Sequence, residues 1–181
     1  MQPTTVFRKR GVALSLIALL MTTPILDACK TASPSASAAL PGNSSTKIFD
    51  ELADTALLAM KKRAEELKIT GVAVVAYAEG DKVKSWSSKM LVVGNMILPG
   101  SGNNAGDNRL GIAYTKASEM ADTLKDSGSK VRRPYHGEYG WQGGVTAKGK
   151  SGILIVAFSG GASEQDVQVS HAGLEVLAAK L

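Results

Sequence analysis

Residues 153–166 read ILIVAFSGGASEQD and decide how the C-terminal part of the fold is built. The six apolar residues ILIVAF are typical of a strand that is buried on both faces. The Ser159-Gly160-Gly161 segment ends this strand, because glycine permits a sharp turn and a close backbone approach. Ser163 and Asp166 have the spacing of an acidic capping box, which predicts a helix over residues 162–181. The stretch is therefore predicted as a strand, a glycine turn and a capped helix.

The composition indicates one globular domain with additional segments. The chain has 181 residues, of which 44% are hydrophobic and 20% charged. Its formal charge is +5, but the first 28 residues hold three basic residues and one acidic residue, so the remainder carries only +3. We therefore expect no nucleic-acid partner. There is no zinc-type Cys/His spacing, no GxxxxGK[ST] phosphate loop and no GxSxG nucleophile motif.

Residues 1–28 have the pattern of a secretory signal peptide. The basic run Arg8-Lys9-Arg10 precedes an apolar run from Val12 to Leu20, which is short for a membrane-spanning helix. Leu26-Asp27-Ala28-Cys29 resembles a bacterial lipobox, in which the cysteine is lipidated and anchors the protein to a membrane. The aspartate departs from the small apolar residue that is usual at that place. Ordinary signal cleavage after Ala38 is the alternative, and it predicts a soluble secreted protein.

Cys29 is the only cysteine, so no intrachain disulfide can form. Cys29 is followed by Lys30 rather than by aspartate, which in a Gram-negative envelope resembles the pattern of lipoproteins destined for the outer membrane. Residues 29–46 are rich in Ser, Ala, Pro and Gly and are predicted to form a flexible tether. The folded domain is expected over residues 47–181. The protein is thus expected outside the cytoplasm, either lipid-anchored at Cys29 or soluble in the periplasm or medium.

Apolar periodicity predicts two further helices and two hairpins ahead of the last helix. Spacings of three and four residues predict helices over about 47–67, with Thr46 as N-cap, and over about 108–125, with Asp107 or Asn108 as N-cap. The remaining segments are predicted as extended residues 72–77, 83–93, 141–147 and 151–158 and a long glycine-rich loop over 98–107. The order predicts a mixed α/β (α+β) fold with a small antiparallel β-sheet flanked by helices.

Over residues 47–181 the chain resembles the GlcG/HbpS heme-binding family. The resemblance is carried by SGGxxEQD at residues 159–166, by Ala172-Gly173-Leu174, and by the hairpin entry Gly143-Gly144-Val145. It is also carried by Ile112-Ala113-x-x-Lys116-Ala117 in the middle helix. Two segments depart from the family pattern: the turn at Tyr77–Asp81, and Lys89–Val92, which stands where the family has an Arg-Met-Asp-Gly-like segment. The resemblance implies a profilin-like three-layer fold, homo-oligomers and, for several members, heme.

Heme binding needs an apolar slot, one or two axial ligands and donors for the propionates. His136 and His171 are the only histidines, so they are the candidate iron ligands. The loop around His136 supplies further candidates, in which arginine is expected to hold propionates and tyrosine to stack or ligate: Arg132, Arg133, Tyr135 and Tyr139. A surface loop rich in hydrogen-bonding groups is the alternative for this segment, and a packed or surface histidine is the alternative for His171.

The Gly160-Gly161 turn is open to two interpretations, a packing joint or a site for a carboxylate or phosphate at a helix N-terminus. No Ser/His/Asp, Cys/His or paired-carboxylate arrangement stands out, so enzymatic side-chain chemistry is not expected. The sequence favours an extracytoplasmic protein that stores, carries or senses heme. One alternative is an oligomeric sensory or structural accessory protein that contacts an envelope sensor and binds no tetrapyrrole. A weaker one is a corrinoid or small-molecule binding module.

Overall fold

The computed structural model describes residues 44–181, which form three helices and six strands. In chain order the elements are α1 (Ser44–Glu66), β1 (Gly71–Glu79), β2 (Ser87–Val93), β3 (Ile97–Pro99), β4 (Gly106–Asn108), α2 (Arg109–Thr123), β5 (Gly144–Lys148), β6 (Gly152–Ser159) and α3 (Ser163–Ala178). The predicted signal peptide, Cys29 and all of the predicted tether up to residue 43 lie outside the described residues. Within residues 44–181, no helix has both the length and the hydropathy needed to cross a membrane.

Four strands form one antiparallel sheet in the order β2-β1-β6-β5. The central pair places Val75 opposite Val156, and every residue of β6 is buried, as the apolar run ILIVAF predicts. β3 and β4 form a separate two-stranded hairpin in which Leu98 pairs with Asp107. The sequence thus correctly predicts an antiparallel sheet, with β6 at its buried centre.

The sheet is packed on both faces, which gives three layers. On one face, Ala73 and Val75 of β1 pack with α1 and α3 in the larger core, together with Phe49. On the other face, Val74 and Ala76 belong to the smaller clusters that pack against α2. Because successive side chains of a strand point to opposite faces, the fully apolar strands serve both layers. The predicted α/β fold with a small antiparallel sheet flanked by helices is confirmed.

Several predicted element boundaries differ from the structure. α1 already contains Ser44, so Thr46 lies inside the helix and is not its N-cap. The long loop predicted over 98–107 is in fact the β3–β4 hairpin, whose short exposed strands carry no clear apolar alternation. Trp141 lies outside β5, which begins at Gly144. At α2 one of the two predicted caps is correct, since Asn108 Oδ1 accepts a hydrogen bond from the backbone N–H of Gly111.

The cap of α3 is displaced by one residue from the prediction. Ala162 is the N-cap, and the Gln165 side chain accepts the Ala162 backbone N–H at 3.0 Å. Ser163 is therefore the first helical residue, and the predicted Ser163–Asp166 capping box does not form. Its acidic member, Asp166, is buried and has other partners. Asp166 instead belongs to the buried polar centre of the molecule.

Candidate functional site

A buried ion pair closes the end of the sheet where β6 passes into α3. Lys116 Nζ donates at 2.8 Å to Asp166 Oδ2 and at 2.8 Å to the carbonyl oxygen of Phe158. The two charged side chains are only 4% and 5% exposed. Since Lys116 comes from α2 and Asp166 from α3, the pair joins the two outer layers around the end of β6.

Asp166 also occupies the glycine turn that precedes its helix. Its Oδ1 accepts the backbone N–H of Gly161 at 2.8 Å. A side chain at Gly160 would overlap the carbonyl of Thr70, so this residue must be glycine for β6 to approach the start of β1. The turn is therefore a packing joint, and the anion at the helix N-terminus is the protein's own carboxylate.

Burial changes the proton affinity of both partners in opposite directions. Desolvation lowers the pKa of Lys116, and this effect is opposed by the negative charge of Asp166. Desolvation likewise raises the pKa of Asp166, against the charge of Lys116 and the N–H donors of the turn. Each pKa is therefore set by a balance of burial and pairing, and removing either partner leaves the other charge poorly compensated.

A cavity of about 240 Å³ opens beside this ion pair. Its walls come from the β3–β4 hairpin, the first turns of α2, the Trp141-Gln142 segment and the start of α3. Lys116 and Asp166 lie at one side, and Arg109 lies at another. Leu98 and Trp141, both about half exposed, supply apolar wall. The cavity is thus mainly polar, with apolar side chains at the hairpin and loop.

Arg109 is the first residue of α2 and is only 8% exposed. Its Nη1 donates to Thr70 Oγ1 at 2.8 Å and to the carbonyl of Asn95 at 3.2 Å. No carboxylate oxygen among residues 44–181 lies within ion-pair distance of its guanidinium. The cavity therefore contains one buried cation paired with a carboxylate and one that is not.

The predicted heme loop is held in shape by its own charges. The Arg132 guanidinium forms a two-pronged pair with Glu138, at 2.6 and 2.9 Å, and its Nε donates to Asp122 at 2.7 Å. It also lies 4.1 Å from the centre of the Tyr135 ring. Hydrogen bonding from Arg132 lowers the pKa of Glu138, and this carboxylate also accepts the Tyr135 backbone N–H. The hydrogen-bonding capacity of Arg132 is therefore largely used within the loop.

Other predicted residues of the loop lie on its surface. Arg133 and His136 are exposed, and neither side chain has a hydrogen-bond partner among residues 44–181. Tyr139 stacks on Trp141 with ring centres 4.5 Å apart, and both rings are about half exposed. The structure thus brings Arg132 and Tyr135 together, and it places Tyr139 beside the cavity through its contact with Trp141.

The second histidine lies on a different element. His171 is exposed on α3, away from the ends of that helix. Within the described part of the chain no group of three or more His, Cys, Asp or Glu side chains is arranged to hold a metal ion.

Among the cavity residues only the Gly160-Gly161 turn was considered from the sequence as a possible anion site; Lys116, Asp166 and Arg109 were not singled out, although a signal was present. Lys116 falls within the apolar stripe of α2, between Ala113 and Met120 at helical spacing, where a charged residue is unexpected. Asp166 fits a helix-capping pattern, and this pattern accounts for an acidic residue at that position without a buried ion pair. Arg109 carries no comparable signal, because its burial depends on packing against Thr70 and the segment before β3.

Comparisons with solved structures give matches at low sequence identity. Protein ORFY of Klebsiella pneumoniae, described as a DUF336-family protein, matches with a TM-score of 0.50 and 15% identity, covering 72% of this chain and 90% of ORFY. A PduOC–heme complex matches with a TM-score of 0.45 and 15% identity, covering 68% of this chain and 89% of that one. Comparison with family models and with curated proteins gives no match. The ORFY match supports the fold that the GlcG/HbpS resemblance predicts.

Proposed function

We propose that the protein binds heme outside the cytoplasm, on the exposed face of the loop that precedes β5. The observation that carries this proposal is the half-exposed, stacked pair of Tyr139 and Trp141, three and five residues after an exposed histidine. A flat aromatic surface beside an imidazole offers a porphyrin both stacking area and an axial ligand. The family resemblance of residues 47–181 and the ORFY-like fold support the same proposal.

The loop is suited to present these groups because it is braced from within. Glu138 accepts hydrogen bonds from Arg132 and from the Tyr135 backbone, so it fixes the segment on both sides of His136. A braced loop loses less conformational entropy on binding than a free one. The pairing of Arg132 with Glu138 also changes which arginine is expected to contact the heme propionates. Arg132 is held by Glu138 and Asp122, whereas the exposed Arg133 side chain has no such partner among residues 44–181.

A hemin titration of the purified protein tests the proposal through the Soret band. We expect saturable binding with a shifted band in the wild type. His136→Ala should weaken binding by roughly tenfold or more, because loss of even an outer-shell partner of a metal ligand lowers affinity by that amount. His171→Ala is the matched control, since that histidine is also exposed but lies on α3.

Tyrosine is the alternative ligand, and Tyr139→Phe separates the two possibilities because it keeps the stacked ring and removes only the hydroxyl. If the wild type binds hemin no better than an unrelated protein, heme binding is refuted and the accessory-protein alternative is preferred. If His171→Ala alone abolishes binding, the loop is not the site.

Cellular location follows a separate proposal, that Cys29 is lipidated and anchors the protein to the bacterial envelope, with the outer membrane as the proposed destination. It rests on the lipobox-like residues 26–29. A Cys29→Ser variant expressed in a Gram-negative cell should accumulate as unprocessed precursor. Normal processing of that variant would instead indicate ordinary signal cleavage and a soluble protein.

A further inference from the structure

Arg109 raises a question of charge balance that the heme proposal does not address. The residue is more than nine-tenths buried, yet no carboxylate among residues 44–181 pairs with it. Buried charges in proteins are normally paired, because desolvating an isolated ion costs several kcal/mol. Here the guanidinium lines a cavity of about 240 Å³. An anion in that cavity would supply the missing partner.

Hydrogen-bond donors in the cavity remain unused as well. Only Nη1 of Arg109 has partners within residues 44–181, which leaves the donors on Nη2 and Nε. Ser159 is 4% exposed and lines the same cavity, and its hydroxyl has no partner in the described part of the chain. No side-chain N or O atom that is itself buried lacks a partner within residues 44–181, so the Ser159 hydroxyl is open to the cavity and can donate to a ligand there.

The charges of the walls select the kind of anion. Lys116 and Asp166 neutralise each other at 2.8 Å, so the buried lining has one uncompensated positive charge, that of Arg109. Asp107 also lines the cavity, but it is exposed and its charge is screened. A single uncompensated positive charge favours a monoanion over a dianionic phosphate. The planar fork of a guanidinium matches a carboxylate in geometry.

The cavity size limits the rest of the ligand. The volume of the cavity is about 240 Å³. It is smaller than the pockets of roughly 300–1,000 Å³ that enclose drug-sized ligands. The site therefore has room for a short organic acid, or for the carboxylate arm of a larger molecule that remains mostly outside.

We propose that this cavity is a carboxylate-binding site in which Arg109 is the counter-ion and the Ser159 hydroxyl is a second donor. A free-acid ligand would be independent of heme binding by the loop, whereas a propionate ligand rests on that proposed function. The carboxylate has two possible sources with the same chemistry, a free short hydroxy or oxo acid and a propionate of a heme that lies against Trp141. Separate experiments distinguish them.

The free acid is tested with L-lactate and pyruvate as probes, using NMR chemical shifts of the backbone amides around the cavity. The neutral amide of lactate, lactamide, serves as the control ligand. For a free-acid site we expect saturable shifts at Arg109 and Gly161 with the acids and none with lactamide. Arg109→Met should weaken binding at least tenfold, Arg109→Lys should weaken it less because it keeps the charge, and Arg63→Met, on α1, should have no effect.

The propionate is tested by titrating hemin and its dimethyl ester into the same variants. If Arg109→Met and esterification each weaken hemin binding, the carboxylate belongs to heme. Lactate binding that depends on Arg109, with hemin unaffected, identifies a free acid instead. A protein that binds lactate but not hemin retains the carboxylate site and loses only the heme proposal.

Ser159→Ala keeps the test decisive if Arg109→Met fails to fold, because the Ser159 side chain makes no hydrogen bond within residues 44–181 that folding would lose. We expect this variant to fold normally and to bind the carboxylate severalfold more weakly. The proposal is overturned if lactate and lactamide behave alike while hemin binding is insensitive to Arg109. It is also overturned if inorganic phosphate binds at Arg109 more tightly than every carboxylate.

Discussion

Two arginines of this protein, Arg132 in the loop and Arg109 at the start of α2, have opposite relations to their surroundings. Arg132 is partly exposed and contacts Glu138, Asp122 and the ring of Tyr135. Arg109 is buried, and no carboxylate among residues 44–181 pairs with it. The residue that is prominent in the sequence is thus already paired, and the inconspicuous one retains free donors. Whether a cation can bind a ligand depends on how many of its donors are already bonded to other residues. It does not depend on how many chemically active residues lie near it.

The loop and the interior around the cavity also differ in the ion pairs that hold them together. The loop pair joins residues that are 6 positions apart, whereas Lys116 and Asp166 are 50 positions apart and connect two helices. The loop pair is partly buried, with side chains 19% and 8% exposed, whereas the second pair is buried at 4% and 5%. We therefore expect changes in the interior pair to affect the whole fold and changes in the loop pair to act locally.

The largest effect is expected for Asp166→Ala. It leaves the Lys116 charge buried with only the Phe158 carbonyl as a hydrogen-bond partner, which should lower the free energy of unfolding by about 3–5 kcal/mol. Urea denaturation measures the change. Asp54→Ala removes an exposed pair with Lys89 and should lower it by less than about 1 kcal/mol. Equal losses of unfolding free energy in the two variants would show that the buried pair contributes no more to stability than the exposed pair.

Gly143→Ala tests the space around the same pair. The added methyl group would overlap Lys116 Nζ and lie 2.8 Å from Asp166 Cβ. Gly137→Ala is matched to it, because Gly137 also has a positive φ but no atom within 4 Å of an added Cβ. Both variants share the cost of strained backbone, so thermal unfolding should show Gly143→Ala to be less stable by roughly a further 1–3 kcal/mol. Similar stabilities of the two variants would indicate that Lys116 and Asp166 move to make room for the methyl group with no loss of stability.

Arg132→Met should act on the loop and on its exposed contact with Asp122 of α2. It removes the partner of Glu138, so we expect the Tyr135 amide to exchange its hydrogen faster while the urea midpoint of the whole domain stays nearly constant. Amide exchange followed by NMR measures the first effect. A global loss as large as that of Asp166→Ala would remove the proposed distinction between the two regions.

Acid should produce the smallest and most local change. The hydrogen bond from Arg132 holds the folded-state pKa of Glu138 below its ordinary value of 4.5. The stabilisation from this carboxylate is therefore complete above pH 4.5 and is lost as the pH falls through the lowered folded-state pKa. Chemical shifts of the Tyr135 amide should follow that titration in the wild type and be flat over it in Glu138→Gln. Identical profiles would assign the change to another group.

Local patterns predicted the fold well because its main signals are local. The apolar run of β6, the glycine turn after it and the Asn108 cap each depend on residues within a few positions. The β3–β4 hairpin was missed since its three-residue strands are exposed and lack alternation. The cap of α3 was misplaced by one residue because Asp166 satisfies a capping pattern while its actual partner, Lys116, is distant in sequence.

The two candidate sites differ in the same way, since one was predicted from local sequence and the other depends on distant residues. The surface loop was singled out from its composition, and in the structure His136 is exposed and Tyr139 stacks on Trp141. Its proposed role in heme binding remains a prediction. Of the cavity, only the Gly160-Gly161 turn was considered as an anion site; the charged residues around it were not identified, because Lys116 and Asp166 meet only in the folded chain. The lysine within the apolar stripe of α2 was the one indication of a buried partner.

The restriction at Gly143 has a consequence for how this protein can diverge. A substitution there is blocked by Lys116 and Asp166, which are contributed by two different helices. Descendants in which position 143 gains a side chain would first need smaller residues at position 116 or 166, and losing one charge alone carries the cost of an uncompensated partner. The three positions should therefore change together or not at all. Their joint pattern would distinguish true relatives from chains that share only the apolar strand and the glycine turn.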